Sequence, residues 1–362
     1  MDFQEAQAQW RGDAARLEEF GVYINGAKTY LPDGWNSNLN IAMDALPTLA
    51  TVGSAGIPAL LTTTIDPDVV NVAFTPNKAA DIFGEVRKGD WLQETVIFPV
   101  VEHTGEVATY SDYSNNGVTG VNTNWPQRQN YLFQTIKSYG EREMERAGLA
   151  KLGWVAEIDK AATLTMAKFL NTIYFFGVAG LQNYGLLNDP SLYAPITPAP
   201  KANGGTKWII NGIQNATANE VYNDVLAVFA QLVIQTNGLV EATDKLTLAL
   251  HPTQATALLA TNSFNVNVSD LLKKNFPNLT IKTAVQYGAI TSTNPQGIAA
   301  GNLMQLIADS VDGQKVGYCA FSEKLRTHPI IREMSAFKQK QTAGAWGTVV
   351  RVPYGISAMV GI

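Results

Sequence analysis

Residues 91–135 constrain this chain more than any other stretch, because they have strand character but little that could be buried. The run begins with an apolar, β-branched core at residues 95–101 and then becomes weakly charged and rich in small polar side chains. Between residues 107 and 113 the residues alternate as they do in a strand. Asn115-Asn116-Gly117 is a strong signal for a hairpin tip, because Asn and Gly tolerate positive φ. We therefore predict a long hairpin with its tip near Asn116.

Such a hairpin cannot stabilise itself. Two strands alone are marginal in water, and ordering them costs conformational entropy that only a partner surface can offset. Residues 21–75 pose the same problem, because Pro and Gly interrupt every candidate helix and predict an extended arm. A structureless stretch of that length is unusual inside a compact domain. Two segments of this kind predict that each copy of the chain lies on its neighbours.

The composition also points to association. Charged residues make up 16% of the 362 residues, against about 25% in an ordinary soluble domain, and a surface with few charges is poorly protected against association. The alternative is a chain that is merely rich in Asn, Gln and Thr. The net charge of −5 and the lack of a Lys/Arg run argue against tight nucleic-acid binding.

Cysteine usage and apolar patterning predict a cytoplasmic site of synthesis. Cys319 is the single cysteine, so an intrachain disulfide cannot form. The first residues lack the basic and apolar regions of a signal peptide. The apolar stretch at residues 164–176 is too short to span a bilayer and contains Lys168 and Asn171.

Several helices and strands follow from periodicity. Residues 1–20 carry an apolar stripe at helical spacing, and residues 141–176 predict one helix on the order of 50 Å long that ends at Gly177. A short helix is expected at residues 76–83, with Thr75 as its N-cap. Further helices are predicted at 218–236 and 268–275, and further strands at 245–250, 279–285, 303–308, 315–321, 348–352 and 356–362.

No motif predicts catalysis, a metal or a cofactor. The histidines His103, His251 and His328 are far apart in sequence and show no ligand spacing. Cys319 lies in an apolar strand run, which indicates a buried, inert thiol. The glycine-rich residues 203–207 lack the spacing of a phosphate loop. An unrecognised hydrolase nevertheless stays open as an alternative.

The order of these elements resembles the major capsid proteins of tailed bacteriophages, which have the Hong Kong 97-type fold. The most specific part is the hairpin, followed by a helix that is entered through YGEREMERAG and left through GLLNDP. The resemblance implies an α+β fold with an N-terminal helix and extended arm (1–75), a peripheral domain (76–190) with the extended hairpin (91–135) and the spine helix (141–176), a mixed α/β axial domain (191–325), and return strands of the peripheral domain (326–362).

For function, the resemblance implies a non-enzymatic shell subunit. Copies would self-assemble as pentamers and hexamers into an icosahedral bacteriophage head in the host cytoplasm, with weak, non-specific contact to packaged double-stranded DNA and no membrane contact. Separate scaffolding, portal and decoration proteins are further candidate partners. An encapsulin-like compartment filled with protein cargo has the same fold and remains an alternative.

Two departures from family members refine these expectations. Only a short helical segment precedes the arm, so we expect no maturation cleavage. Residues 91–136 contain no lysine, so the lysine–asparagine crosslink of some members is not expected. The predicted inter-subunit contacts, for each of which ordinary core packing is the alternative, are Trp10, Phe20, Tyr110, Tyr113, Asn116 and Trp125.

Overall fold

The structure is a computed structural model, and its two four-stranded sheets each carry a long helix on one face. The predicted N-terminal helix and arm, with Trp10 and Phe20, lie outside the described residues. The structure describes residues 77–113, 115–149, 153–292, 294–295 and 297–362.

The elements are numbered here in chain order. The helices are α1 (Ala79–Phe83), α2 (Glu141–Leu149), α3 (Trp154–Phe176), α4 (Ala218–Gln235), α5 (Pro252–Ala255) and α6 (Val268–Asn275). The strands are β1 (Glu85–Arg87), β2 (Thr95–Ile97), β3 (Val100–Gly105), β4 (Thr119–Asn124), β5 (Gln127–Gln129), β6 (Tyr131–Gly140), β7 (Ile209–Ile210), β8 (Ile213–Gln214), β9 (Leu246–Leu250), β10 (Leu279–Thr283), β11 (Leu303–Ala308), β12 (Ser310–Val311), β13 (Gln314–Lys315), β14 (Gly317–Arg332), β15 (Ala336–Val350) and β16 (Ile356–Val360).

The first sheet has the strand order β1-β14-β15-β6. Its strands are antiparallel apart from β1, which runs parallel to β14. Side chains of β6 alternate between the two faces, as a pleated strand requires. Tyr131 and Phe133 of one face meet Phe169 of α3, with ring centroids 6.1 and 4.8 Å apart. These ring contacts, made by partly exposed side chains, help to hold α3 against the sheet.

The prediction of one continuous helix at residues 141–176 is wrong, because the structure has two helices there. Gly153 has φ −76° and ψ 59°, which is not helical, and α3 begins only at Trp154. No residue of α2 is buried, so little tertiary packing opposes the low helix propensity of glycine. The 23 residues of α3 span about 35 Å.

The second sheet has the order β10-β9-β11-β16, with β9 and β10 parallel. Helix α4 packs against it, and the Ser357 hydroxyl of β16 donates to the carbonyl of Val228 at 3.0 Å. A capping box starts α4: the Thr217 side chain accepts from the Glu220 amide, and the Glu220 carboxylate accepts from the Thr217 amide. Helix α4 therefore begins directly after Thr217, the residue that caps it.

The two sheets share one hydrophobic core. Phe175 at the end of α3 meets Tyr287, edge to face, at 5.9 Å. The predicted domain boundary at residues 325/326 falls within β14. Strand β14 begins at Gly317, in the predicted axial segment, yet belongs to the first sheet. Strand β16, predicted to return to the peripheral domain, pairs with β11 in the second sheet.

The strands predicted at 303–308 and 315–321 correspond to β11 and β14, which lie in different sheets, and the short β12–β13 ladder pairs across Asp312-Gly313. One further expectation needs correction. Helix α1 begins at Ala79, after Thr75, and its first amides are capped from another helix: the Asn171 side-chain oxygen accepts from the amides of Lys78 and Ala79, both at 3.0 Å. That contact could not be read from local sequence.

Other elements agree with the pattern. Helix α6 has the predicted bounds, and the predicted buried strand at 245–250 is β9, in which four of five residues are classed as buried. Among the helices of the described segments, none combines the length and apolar character needed to cross a bilayer.

Candidate subunit interface

The hairpin arm, defined as residues 100–124, lies outside both sheets. Strands β3 and β4 pair from Val100 with Asn124 to Gly105 with Thr119. Every residue of both strands is exposed, although successive side chains of a strand point to opposite faces. Both faces of the ladder are therefore open, and nothing in the described part of the subunit covers either one.

The tip of the arm, residues 106–118, is irregular where the sequence predicts a strand. Across the tip, the Glu106 amide donates to the Val118 carbonyl at 3.0 Å. Gly117 has φ 96°, which suits the predicted turn chemistry. The Tyr110 hydroxyl donates to the Asp112 carboxylate at 2.6 Å, and this hydrogen bond raises the pKa of Tyr110.

The structure places three of the predicted contact residues at one end of the arm and the fourth at the other. Tyr110 and Tyr113, exposed by 88% and 100%, lie in the tip together with exposed Asn116. Trp125, exposed by 60%, follows β4, about 20 Å away along the six residues of that strand. None of the three aromatic side chains is core packing in the subunit; contact with a neighbour stays a prediction.

The arm carries other exposed apolar groups that were not predicted as contacts. Five valines join the tyrosines in presenting apolar surface to solvent. A signal for them existed in the sequence, since β-branched residues recur through an otherwise polar run. The valines are Val100, Val101, Val107, Val118 and Val121.

The hairpin base, formed by β2 and β5, is fastened to the first sheet. Val96 and Phe98 pack on a buried cluster around Trp346 and Tyr318. The Trp346 indole N–H donates to the Lys88 carbonyl at 2.7 Å, which fixes the segment leading into the hairpin. Apolar burial therefore begins where the hairpin meets the sheet and stops before β3.

A buried ion pair holds the returning strand of the base. The Arg128 guanidinium lies 2.7 Å from the Asp189 carboxylate, and their side chains are only 12% and 0% exposed. Arg128 also stacks over the Tyr184 ring at 4.8 Å. The Asn183 side-chain amide donates to the carbonyls of Gln129 and Ala345, so the base, the loop after α3 and β15 are joined.

The GLLNDP motif explains how this loop reaches the base. Residues Leu186 and Leu187 donate their amides to the carbonyls of Tyr174 and Phe175 at the end of α3, which satisfies groups that a helix end leaves unpaired. The chains approach so closely that a Cβ at Gly185 would lie 2.2 Å from the Phe175 carbonyl carbon. Glycine is therefore required there, and Asp189 follows in position for Arg128.

A second exposed apolar group lies near the turn between β14 and β15. Ile330, Ile331 and Met334 are exposed by 59%, 66% and 102%. No local pattern distinguishes these residues, because only the pairing of the two long strands shows that this end extends beyond the buried part of the sheet.

Solved structures that are similar to this fold include phage capsids. The capsid of Myoviridae Phage XM1 is 12% identical, with a TM-score of 0.67 over 86% of this chain and 100% of that chain. The structure from Gordonia phage Cozz is 11% identical, with a TM-score of 0.55 over 87% of this chain and 98% of that chain. The structure from Mycobacterium phage Ogopogo is 9% identical, with a TM-score of 0.51 over 85% of this chain and 99% of that chain. The chain therefore has the Hong Kong 97-type capsid fold.

The family is shown by sequence. The model of the Pa193 gp26 major capsid protein family matches residues 48–361, and the chain belongs to that family. It is a major capsid protein of a phage head, a structural component of the virion that associates with copies of itself. No curated protein sequence matches significantly.

Proposed function

We propose that this subunit builds a closed icosahedral head around double-stranded DNA, and that each hairpin arm lies on a neighbouring copy. The observation that carries the proposal is the exposure of the arm on both faces. A ladder of six paired positions has too little buried surface for independent stability. Contact with another copy supplies the buried surface that the arm lacks within its own subunit.

We propose that the two sheets belong to different regions of the shell subunit. We assign the first sheet, with α3 and the hairpin, to a peripheral region, and the second sheet to an axial region around the axes of pentamers and hexamers. Tyr110, Tyr113, Asn116 and Trp125 are the proposed contacts of the arm. For the N-terminal segment, Trp10 and Phe20 keep this role as a proposal from sequence.

We further propose that the shell protein acts without catalysis. Cys319 is fully buried, and burial raises the pKa of its thiol to about 12, so it cannot supply a thiolate near neutral pH. The net charge of −5 supports a weak, non-specific contact with packaged DNA. We propose that assembly takes place in the host cytoplasm. Scaffolding, portal and decoration proteins would be separate chains.

Amide hydrogen exchange in isolated subunits and in purified heads tests the role of the arm. The base should be protected in both states, because its hydrogen bonds and ion pair are internal to the subunit. Residues 100–105 and 119–124 should exchange quickly in subunits and become protected only in heads. Equal exchange of the arm in both states would contradict the proposed contact, and the base serves as the internal control.

A further inference from the structure

A cleft between α1 and the second sheet gathers basic side chains from separate elements. It has a volume of about 300 Å³ and is lined by Lys245, Lys282 and Lys315 together with the hydroxyls of Thr247 and Thr280. We call it the lysine cleft. It lies away from the hairpin arm and the base, whose residues do not line it.

Strand geometry explains how these groups come together. In the parallel pair β9–β10, Thr280 is the partner of Thr247, so the two hydroxyls lie side by side. Lys282 follows Thr280 by two residues and therefore points to the same face. Lys245 directly precedes β9, and the short β12–β13 ladder carries Lys315 to the opposite wall.

The lysine cleft has more basic groups than it has carboxylates to pair with them. Lys282 and Lys315 make no ion pair with any residue that the structure describes. The two carboxylates of the lining are already engaged: Asp309 lies 3.9 Å from Lys245, and Asp81 lies 3.4 Å from Lys78, which is outside the lining. Two ammonium groups are thus left facing the cleft.

The hydroxyls and one glycine complete the arrangement. Thr247 and Thr280 have no side-chain hydrogen bond to another described residue, so both can donate to a ligand. Gly84 forms the turn after α1 with φ 75°, and a Cβ there would lie 3.2 Å from the Lys315 Nζ. The turn therefore leaves room for the ammonium group beside the backbone.

We propose that the lysine cleft binds a phosphate group. Ammonium and hydroxyl groups are hydrogen-bond donors that match the several acceptor oxygens of phosphate, and hydrogen bonds between charged groups are the stronger kind. The phosphate comes either from the backbone of packaged DNA or from free phosphate. The DNA source rests on the proposed head function, whereas the site itself does not.

The test titrates inorganic phosphate into the full-length protein at constant ionic strength, with chloride as the reference anion, and follows binding by calorimetry. The double variant K282Q/K315Q should bind phosphate about tenfold more weakly or worse, since two charge-assisted contacts are removed. The control K207Q/K340Q changes the charge equally at exposed sites outside the cleft and should bind as wild type does. K282R/K315R should retain binding, because arginine keeps the charge.

A competition experiment identifies the source of the phosphate group. Displacement of phosphate by a short DNA duplex assigns the cleft to the DNA backbone, and failure to displace it assigns the cleft to free phosphate. The proposal is overturned if acetate binds as well as phosphate, or if wild type and K282Q/K315Q bind equally. Sedimentation of assembled particles is measured separately, so loss of phosphate binding with intact heads leaves the proposed shell function standing.

Discussion

The arm and the base of the hairpin are neighbours in sequence but opposite in environment. Strands β3 and β4 are exposed on both faces, whereas the base packs on the Trp346 cluster and holds the Arg128–Asp189 pair. The subunit's own stability therefore depends on the base and hardly on the arm. We infer that one hairpin separates two tasks: its base supports folding, and its arm supports association.

Shortening the arm is expected to have the largest effect. Replacing residues 106–118 with Asn-Gly closes β3 and β4 with a two-residue turn and removes Tyr110 and Tyr113. Closed heads should be lost in electron microscopy, while the free energy of unfolding stays within about 0.5 kcal/mol of wild type, as for other exposed changes. Heads of normal size and yield would show that the tip is dispensable.

Breaking the ion pair of the base should mainly affect folding. Asp189→Ala leaves the buried Arg128 guanidinium without its carboxylate, which costs about 3–5 kcal/mol in comparable buried pairs. Denaturant unfolding of the subunit measures this loss. Asp112→Ala in the exposed tip is the matched control and should change unfolding by less than about 0.5 kcal/mol. Similar values for the two variants would remove the distinction between arm and base.

Two tryptophans give a finer comparison. Trp346→Phe removes the hydrogen bond to the Lys88 carbonyl and leaves space in a buried cluster, so unfolding should become easier by about 1–3 kcal/mol. Trp125→Phe should leave subunit unfolding nearly unchanged, because Trp125 is 60% exposed. If the Trp125 substitution instead cost more stability than the Trp346 substitution, the segment between β4 and β5 would belong to the folded core.

Acid sensitivity should be the smallest effect. Hydrogen bonds from Lys137 and Tyr139 lower the pKa of Asp159 below its ordinary value of 3.8. The carboxylate therefore adds stability above that value, and the contribution is lost as the pH falls through the lowered pKa. Its side chain is 49% exposed, so solvent screening keeps the contribution below about 1 kcal/mol.

Asp159→Asn checks this expectation. The variant should lose less stability than wild type when denaturant unfolding is repeated at pH values below 3.8, since its amide does not titrate. An identical acid dependence in both proteins would mean that the hydrogen bonds seen between α3 and β6 add no pH-dependent stability.

The candidate interface was only partly readable from sequence. Local chemistry pointed to the hairpin, to a tip near Asn116 and to exposed tyrosines, because turn residues and alternating side chains act over a few positions. The Arg128–Asp189 pair escaped notice, since its partners are 61 residues apart and no local pattern links them. The same holds for Asn171, which caps α1 from 92 positions away.

The sequence by itself determined the class of fold, the position of the hairpin and most helices and strands, because periodicity, caps and turns are local properties. Only the tertiary structure decided that β14 and β16 join different sheets, that Gly153, directly before α3, is not helical, and that no described part of the subunit covers either face of β3 and β4. Strand partners and burial depend on distant segments competing for the same surfaces, and that competition is settled only when the whole chain packs.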